Sequence, residues 1–164
     1  MTILGIDPGL ATMGWGIIDT DGSHHHMRGY GALITKPTQT MPARLNQLFD
    51  GVAELLRIYK PDALAFEELF FSKNVTTAMA VGAARGVALL AAARYTDALY
   101  EYTPMQVKQA ITGYGKADKA QMQWMVRVLL NLEEIPKPDD AADALAVAIA
   151  HAHTGRSADE FRIK

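Results

Sequence analysis

The chain has 164 residues, 49% of them hydrophobic, which is enough for one domain with its own core. It contains no cysteine, which excludes a disulfide scaffold, a cysteine nucleophile and a thiolate zinc site. The net charge of −2 is unevenly spread: residues 69–128 carry +4, and the segments before and after each carry −3. This basic middle segment is either a solvated face or a nucleic-acid contact.

The N-terminus has no basic region followed by a signal-length apolar run. Charged or polar residues interrupt the apolar stretches before they reach membrane-spanning length. We therefore expect a soluble, cytoplasmic protein that does not contact a membrane.

Short β-rich runs predict an antiparallel meander at the start of the chain. The runs TILGID, MGWGIIDT and RGYGALIT are separated by Pro-Gly and Asp-Gly turn signals. The second turn carries DGSHHHM, and we interpret His24 to His26 as part of an exposed loop rather than a metal site.

Helical and strand patterns then alternate. Apolar spacing predicts an amphipathic helix over 42–59, followed by a strand in PDALAFEEL. An Ala- and Gly-rich helix follows over about 75–93, and its small face suits either a dimer surface or core packing. A strand in ALYEY precedes three helices in TPMQVKQAI, KAQMQWMVRVLLNL and PDDAADALAVAIAHAH. The order predicts a mixed α/β fold in one domain over 1–155, with 156–164 as a flexible tail.

Four carboxylates occupy positions that this fold can bring together. Asp7 and Glu67 each end a predicted strand, and Asp140 and Asp143 are three apart and face the same side of a helix. Converging acids without matching positive residues repel one another unless divalent cations lie between them. Oxygen ligands select Mg²⁺ or Mn²⁺, and two such ions can promote phosphodiester hydrolysis.

Each acid also has a simpler interpretation. Asp7 could accept hydrogen bonds from turn amides, and Glu67 could be a strand-end charge in solvent. Asp140 and Asp143 could cap a helix or complement its dipole. Glu68 and Asp139 are competing choices one position away, which periodicity does not exclude.

Five segments together carry a resemblance that the single motif GIDPG would not carry. They are GIDPGLATMGWGII, FEELFFSKN, VGAARGVALLAA, YTPMQVKQAITGYGKADKAQMQWMV and DDAADALAVAIAHAH. In this order and spacing, from about Thr2 to His153, the chain resembles the RuvC family of bacterial Holliday junction resolvases. Actin-like sugar kinases and chaperones begin with a strand and turn similar to GIDPG alone.

The resemblance implies a ribonuclease-H-like fold, with a mixed five-stranded sheet flanked by helices. It implies a homodimer that makes paired nicks in two strands of like polarity in a four-way DNA junction, with the RuvAB branch-migration complex as a partner. Asp7, Glu67, Asp140 and Asp143 match the family's acids and would hold two Mg²⁺ ions per site, for which Mn²⁺ would substitute. Glu68 falls where relatives carry Gln or another residue, so it would lie outside the ligand set.

A basic and aromatic set is expected to contact the DNA. The resemblance assigns Phe70 to stacking on an unpaired base, although a core-facing aromatic is the alternative, and it assigns Lys108 and Lys119 to the DNA backbone. The basic middle segment adds further candidates: Lys73, Arg85 and Lys116. Contacts of this kind with phosphates give affinity but no sequence information.

Two other functions remain open from the sequence. An actin-like ATP-binding protein would use GIDPG as a phosphate loop, but the chain is too short for two such halves and has no later Gly-rich adenosine motif. A non-catalytic junction-binding module would bind junctions without cutting them. In such a module, no bound cation would offset the mutual repulsion of the acids.

Overall fold

A mixed five-stranded sheet forms the centre of the molecule. The computed structural model describes residues 1–69 and 75–164. The strands are β1 (Thr2–Asp7), β2 (Thr12–Thr20), β3 (His25–Ile34), β4 (Ala63–Glu67) and β5 (Leu99–Tyr102). Strands β1, β2 and β3 form an antiparallel meander, and β4 lies parallel to both β1 and β5. The order β3-β2-β1-β4-β5 confirms the predicted five-stranded mixed sheet.

Five helices flank the sheet, close to the predicted positions. They are α1 (Met41–Tyr59), α2 (Val75–Ala93), α3 (Pro104–Thr112), α4 (Lys119–Leu129) and α5 (Asp139–Thr154). The side chains of Thr40, Thr103 and Asp118 cap α1, α3 and α4 by accepting a bond from a backbone N–H in the first turn. These caps fix where the helices begin.

Alternation along the strands divides the core into two layers. Leu4, Ile6 and Phe66 pack against α1 and α2 on one face of the sheet. Ile3 and Ala65 pack against α3, α4 and α5 on the other face. Because successive strand residues point to opposite faces, Asp7 and Glu67 share the α5 face with Ile3 and Ala65.

Helix α5 lies against the sheet at three glycines. Gly5 and Gly16 are cross-strand partners, and Gly14 is the partner of Asp7. A Cβ atom on Gly5 would lie 2.0 Å from the Ala144 carbonyl oxygen, and one on Gly14 would lie 2.0 Å from the Asp140 carbonyl oxygen. At Gly16 it would lie 2.6 Å from a side-chain carbon of Leu145. The backbone of α5 therefore touches the sheet directly, which any larger residue at these positions would prevent.

The histidine-rich turn is only partly exposed. His24 and His26 are exposed, as expected, but His25 is 7% exposed, which corrects the prediction for that residue. The Nε2 atoms of His25 and His153 lie 3.0 Å apart, and His25 Nδ1 lies 2.8 Å from the Thr20 hydroxyl. His153 Nδ1 contacts the Ala110 carbonyl at 3.0 Å, so this chain of contacts joins the β2–β3 turn to α5 and α3.

The C-terminal segment 156–164, expected as a flexible tail, packs against the domain. A 3₁₀ helix spans Gly155–Phe161, and Phe161 stacks on Tyr102 with ring centroids 4.9 Å apart. The Ile163 N–H donates to the Leu99 carbonyl at 2.9 Å, and Arg162 pairs with Tyr100. The apolar side chains of Phe161 and Ile163 and this pairing to β5 account for the packed position.

Helix α2 is apolar and largely exposed. Its length and its mean hydropathy of 1.6 would suffice for a membrane crossing by composition alone, which corrects the expectation that every apolar stretch is too short. One such helix is weak evidence for a membrane protein. Here Ala84, Ala88, Ala91 and Ala92 are buried in the core with α1, while Val75 and Met79 are 70% and 72% exposed. The exposed face is therefore an apolar surface on a helix that belongs to the domain.

Substitution of Gly5 by alanine tests the direct contact between α5 and the sheet. The new Cβ meets backbone atoms of Ala144 and Ala148, which cannot rotate away, so we expect a loss of at least about 2 kcal/mol in the free energy of unfolding. Urea denaturation measures this loss. Gly86→Ala is the matched control, since a Cβ at that exposed position of α2 meets nothing within 4 Å. Equal stability of the two variants would contradict this account of α5.

Candidate active site

Asp7 and Glu67 end two adjacent parallel strands. Ile6 of β1 is in register with Phe66 of β4, so the next residue of each strand lies at the same edge of the sheet. Both side chains lie on the α5 face, and a hydrogen bond joins them. The prediction that two strand ends bring these acids together is confirmed by this register.

The first turns of α5 supply the other two acids. The backbone of Asp140 lies against Gly14 of β2. Gly14 is the cross-strand partner of Asp7 on β1, so Asp140 lies beside the partner of Asp7. Asp143 follows Asp140 by three residues, so the two side chains lie on the same side of α5, about one turn apart. Thus the glycine contact of the fold sets the position of both α5 acids relative to Asp7.

Electrostatic shifts show that the four carboxylates interact. Burial, and then the charges of Glu67, Asp143 and Asp140, raise the pKa of Asp7 from 3.8 to about 8. The pKa of Glu67 is also raised, first by burial and then by Asp143. Burial likewise raises the pKa of Asp143, against the opposing effect of Lys119. Without a cation, the protein therefore holds a proton on this cluster at neutral pH.

Lys119 provides one positive charge at the cluster. Its Nζ lies 3.6 Å from a carboxylate oxygen of Asp143 and 3.2 Å from one of Asp139. The expectation of acids without a positive partner is therefore wrong for Asp143, because the first turn of α4 lies beside α5. Lys108, Lys119, Glu67 and Asp143 line a common cavity of about 200 Å³. Because Lys119 is also paired with Asp139, it does not balance the negative charge of the four acids.

The structure distinguishes the predicted acids from their neighbours. Asp139 is paired with Lys137 at 2.7 Å as well as with Lys119, and these contacts lower its pKa to about 2. Glu68 is exposed beyond the end of β4. Asp140, by contrast, contributes to the raised pKa of Asp7. The choices of Asp140 over Asp139 and of Glu67 over Glu68 are thus supported by the contacts of each residue.

The donor set suits a hard divalent cation. All four side chains offer carboxylate oxygens, which Mg²⁺ and Mn²⁺ prefer, and a cation would relieve the repulsion that raises the pKa of Asp7. Within residues 1–69 and 75–164, no three Asp, Glu or His side chains already have the spacing of a complete ligand set. The acids therefore fit a metal by their chemistry, and binding would require their side chains to draw together.

The predicted DNA-binding residues have different surroundings. Lys108 and Lys119 line the acidic cavity, and Lys116 is exposed in the loop between α3 and α4. Arg85 forms an ion pair with Glu101 of β5 at 2.5 Å, with the two side chains 21% and 34% exposed, so its charge is already compensated within the fold. Phe70 and Lys73 lie outside the described residues.

Comparison with known proteins identifies the family of the chain. The family model described as "Crossover junction endodeoxyribonuclease RuvC" matches residues 3–151. The chain belongs to the RuvC family. It is 61% identical over 154 residues to RuvC of Rubrobacter xylanophilus, which covers 94% of this chain and 86% of that one. It is 54% identical over 164 residues to RuvC of Alkaliphilus oremlandii, covering 100% of both chains.

A solved RuvC structure has the same fold. Thermus thermophilus RuvC, in complex with a Holliday junction substrate, matches with a TM-score of 0.88 and 35% identity over 96% of both chains. The predicted resemblance to RuvC and the ribonuclease-H-like α/β fold are thereby confirmed. Arg44, which no sequence motif indicated, lies with Asp140 on a second cavity beside the acids. Arg44 lies in α1, far from the acids in sequence, and no local pattern there indicates a contact with them.

Without metal, the variant Asp7→Asn should become more stable relative to the wild type as pH rises. The pKa of Asp7 is raised from 3.8 to about 8 in the folded state, so the wild type loses stability over that interval because the unfolded chain ionises first. We expect Asp7→Asn to gain on the wild type by a few kcal/mol between pH 4 and pH 8, at about 1.4 kcal/mol per pKa unit. Urea denaturation in EDTA measures the difference.

Asp50→Asn is the control for this measurement, because Asp50 is exposed on α1. A stability difference between Asp7→Asn and the wild type that does not change with pH would contradict the repulsion described for the cluster.

Proposed function

We propose that this chain is a metal-dependent endonuclease that resolves Holliday junctions by paired nicks in two strands of like polarity. It would act in recombination and repair of DNA in the bacterial cytoplasm, on junctions supplied by the RuvAB branch-migration complex. The observation that carries the proposal is the convergence of Asp7, Glu67, Asp140 and Asp143 at one edge of the sheet, in a chain of the RuvC family.

The four acids would hold two Mg²⁺ ions, with Mn²⁺ as a substitute. When bound, such ions would activate a water and stabilise the departing 3′ oxygen of the phosphodiester. Asp7 lies at the centre of the set, since the other three acids all raise its pKa. Its carboxylate must lose the proton that it shares with Glu67 before both can act as ligands, so metal and proton compete for the same oxygens.

The lysines of the site would hold the DNA strand. Lys108 and Lys119 line the same cavity as Glu67 and Asp143, so their ammonium groups lie where a phosphate would approach the acids. Lys119 is 57% exposed, which leaves its ammonium group accessible from solvent. In this proposal Lys119 exchanges part of its contact with Asp143 for a DNA phosphate. Lys116, exposed in the neighbouring loop, would extend the contact along the backbone.

A homodimer would present two such sites to the two-fold symmetric junction. The exposed apolar face of α2 is the surface that supports this assembly, with Val75 and Met79 more than two thirds exposed and Leu90 49% exposed. A face of this kind, on an otherwise charged surface, is typical of an interface between subunits.

Cleavage of synthetic DNA tests the proposed activity. We expect the wild type to nick a four-way junction in Mg²⁺, to leave a linear duplex of the same sequence intact, and to be inactive in EDTA. Asp7→Asn should reduce nicking by at least about a thousandfold while junction binding is retained, because the central metal ligand is lost. Denaturing gels of end-labelled strands measure nicking, and Asp50→Asn is the control with an exposed acid.

The same assay separates the alternative functions. Binding of junctions without nicking in either Mg²⁺ or Mn²⁺ would favour a non-catalytic module. Thermal stabilisation by ATP would favour an actin-like nucleotide-binding protein. Mg²⁺-dependent nicking by Asp7→Asn would contradict the assigned site.

A charged residue on α2 tests the proposed dimer. We expect Met79→Asp to convert a dimer into a monomer in sedimentation experiments, because it places a charge in an apolar interface. Ile58→Asp is the control, since Ile58 is 52% exposed on α1. A dimer that persists unchanged in Met79→Asp would place the interface elsewhere.

A further inference from the structure

A second cavity of about 500 Å³ adjoins the acid cluster. It is bounded by the turn that follows Asp7, by the beginning of α2, and by Arg44 of α1. Asp140 lines this cavity as well, so it connects the cavity with the other three acids. A group that occupies the cavity would therefore lie next to the proposed reaction centre.

The guanidinium group of Arg44 is held in place by a short chain of hydrogen bonds. Its Nε donates to the Thr35 hydroxyl at 2.8 Å, and that hydroxyl donates to the Leu10 carbonyl at 2.6 Å. Thr35 is 3% exposed, so the anchor is buried. This contact occupies one of the five N–H donors of the arginine.

Among residues 1–69 and 75–164, Arg44 has no acidic partner, unlike Arg28, Arg57 and Arg85. Arg28, Arg57 and Arg85 each form an ion pair with Asp or Glu. In the described ranges 1–69 and 75–164, no carboxylate oxygen lies within the 4.0 Å ion-pair distance of Arg44. A half-buried, oriented guanidinium without a carboxylate partner is suited to an external anion, and its planar donors match a phosphate.

We propose that Arg44 binds a phosphate of the DNA strand adjacent to the phosphodiester that is cleaved. The inference rests on the proposed function, since it assigns a place to the strand that enters the acid cluster. Arg44 positions this strand from the α1 side, whereas Lys108 and Lys119 contact it from the α3 and α4 side. The strand would thus be held on both sides of the acids.

The competing explanation is that Arg44 only fastens α1 to the end of β3 through Thr35. Thr35→Val separates the two roles, because it removes the anchoring hydroxyl and keeps the positive charge. A purely structural role predicts that Thr35→Val and Arg44→Gln reduce stability equally and leave the salt dependence of DNA binding unchanged.

Single phosphates of the junction provide the test. Arg44→Gln should weaken junction binding by about tenfold or more, and it should lower the slope of log Kd against log salt by about one. We would then replace each phosphate flanking the cleaved bond by a neutral methylphosphonate. At one position the modification should weaken binding by the wild type but have little further effect on Arg44→Gln.

Arg57→Gln is the matched control, since Arg57 lies on the same helix, is paired with Glu54, and is 71% exposed. Arg44→Lys keeps the charge but not the planar donors, so it should restore the salt slope and only part of the affinity. If Arg44→Gln does not fold, Arg44→Lys is compared with the wild type on the singly modified junctions alone. One methylphosphonate should then weaken binding by the wild type more than binding by Arg44→Lys, and an equal effect at every position would overturn the inference.

An effect of Arg44→Gln that is equal for every modified junction, or an unchanged salt slope, would overturn the inference. Those results would still leave the nuclease assignment intact if the wild type nicks junctions in Mg²⁺. Absence of nicking by the wild type would instead contradict the proposed function itself.

Discussion

The direct contact between α5 and the sheet is the constraint on which the rest of the site depends. Gly5, Gly14 and Gly16 carry no side chains, so the helix backbone lies on β1 and β2 rather than on a layer of apolar residues. That approach places Asp140 beside the strand partner of Asp7 and brings Asp143 towards Glu67. A helix packed at an ordinary distance would hold the α5 acids further from the strand ends and weaken their effect on the pKa of Asp7.

The same contact forces like charges together, and the fold tolerates this because most of its stability comes from elsewhere. Two hydrophobic layers cover the two faces of the sheet, and the acids lie at its edge, where those layers end. Lys119 compensates part of the charge, and Asp139 competes for that lysine with Asp143. The site is thus organised by packing and destabilised by its own electrostatics, as is common where a cation or a substrate completes a site.

The elements could be predicted because each depends on local patterns, and local patterns also indicated the candidate acids, although only the resemblance to RuvC chose among Asp139, Asp140, Glu67 and Glu68. Strand ends marked Asp7 and Glu67, and helical spacing paired Asp140 with Asp143. What the sequence could not predict depends on distant partners. The ion pair of Arg85 with Glu101 of β5 and the pairing of Asp139 with Lys119 and Lys137 join residues far apart in the sequence, and no local pattern indicates them. Arg44 was missed because its cavity is formed by three separate parts of the chain.

The contacts between Thr20, His25, His153 and Ala110 permit only one arrangement of protons when both rings are neutral. The Ala110 carbonyl can only accept, so His153 Nδ1 is the donor and its Nε2 must accept from His25. His25 Nδ1 then accepts from the Thr20 hydroxyl, which fixes both tautomers. With both rings neutral, the junction of the hairpin with α5 and α3 is therefore held by one continuous chain of hydrogen bonds that runs in a single direction.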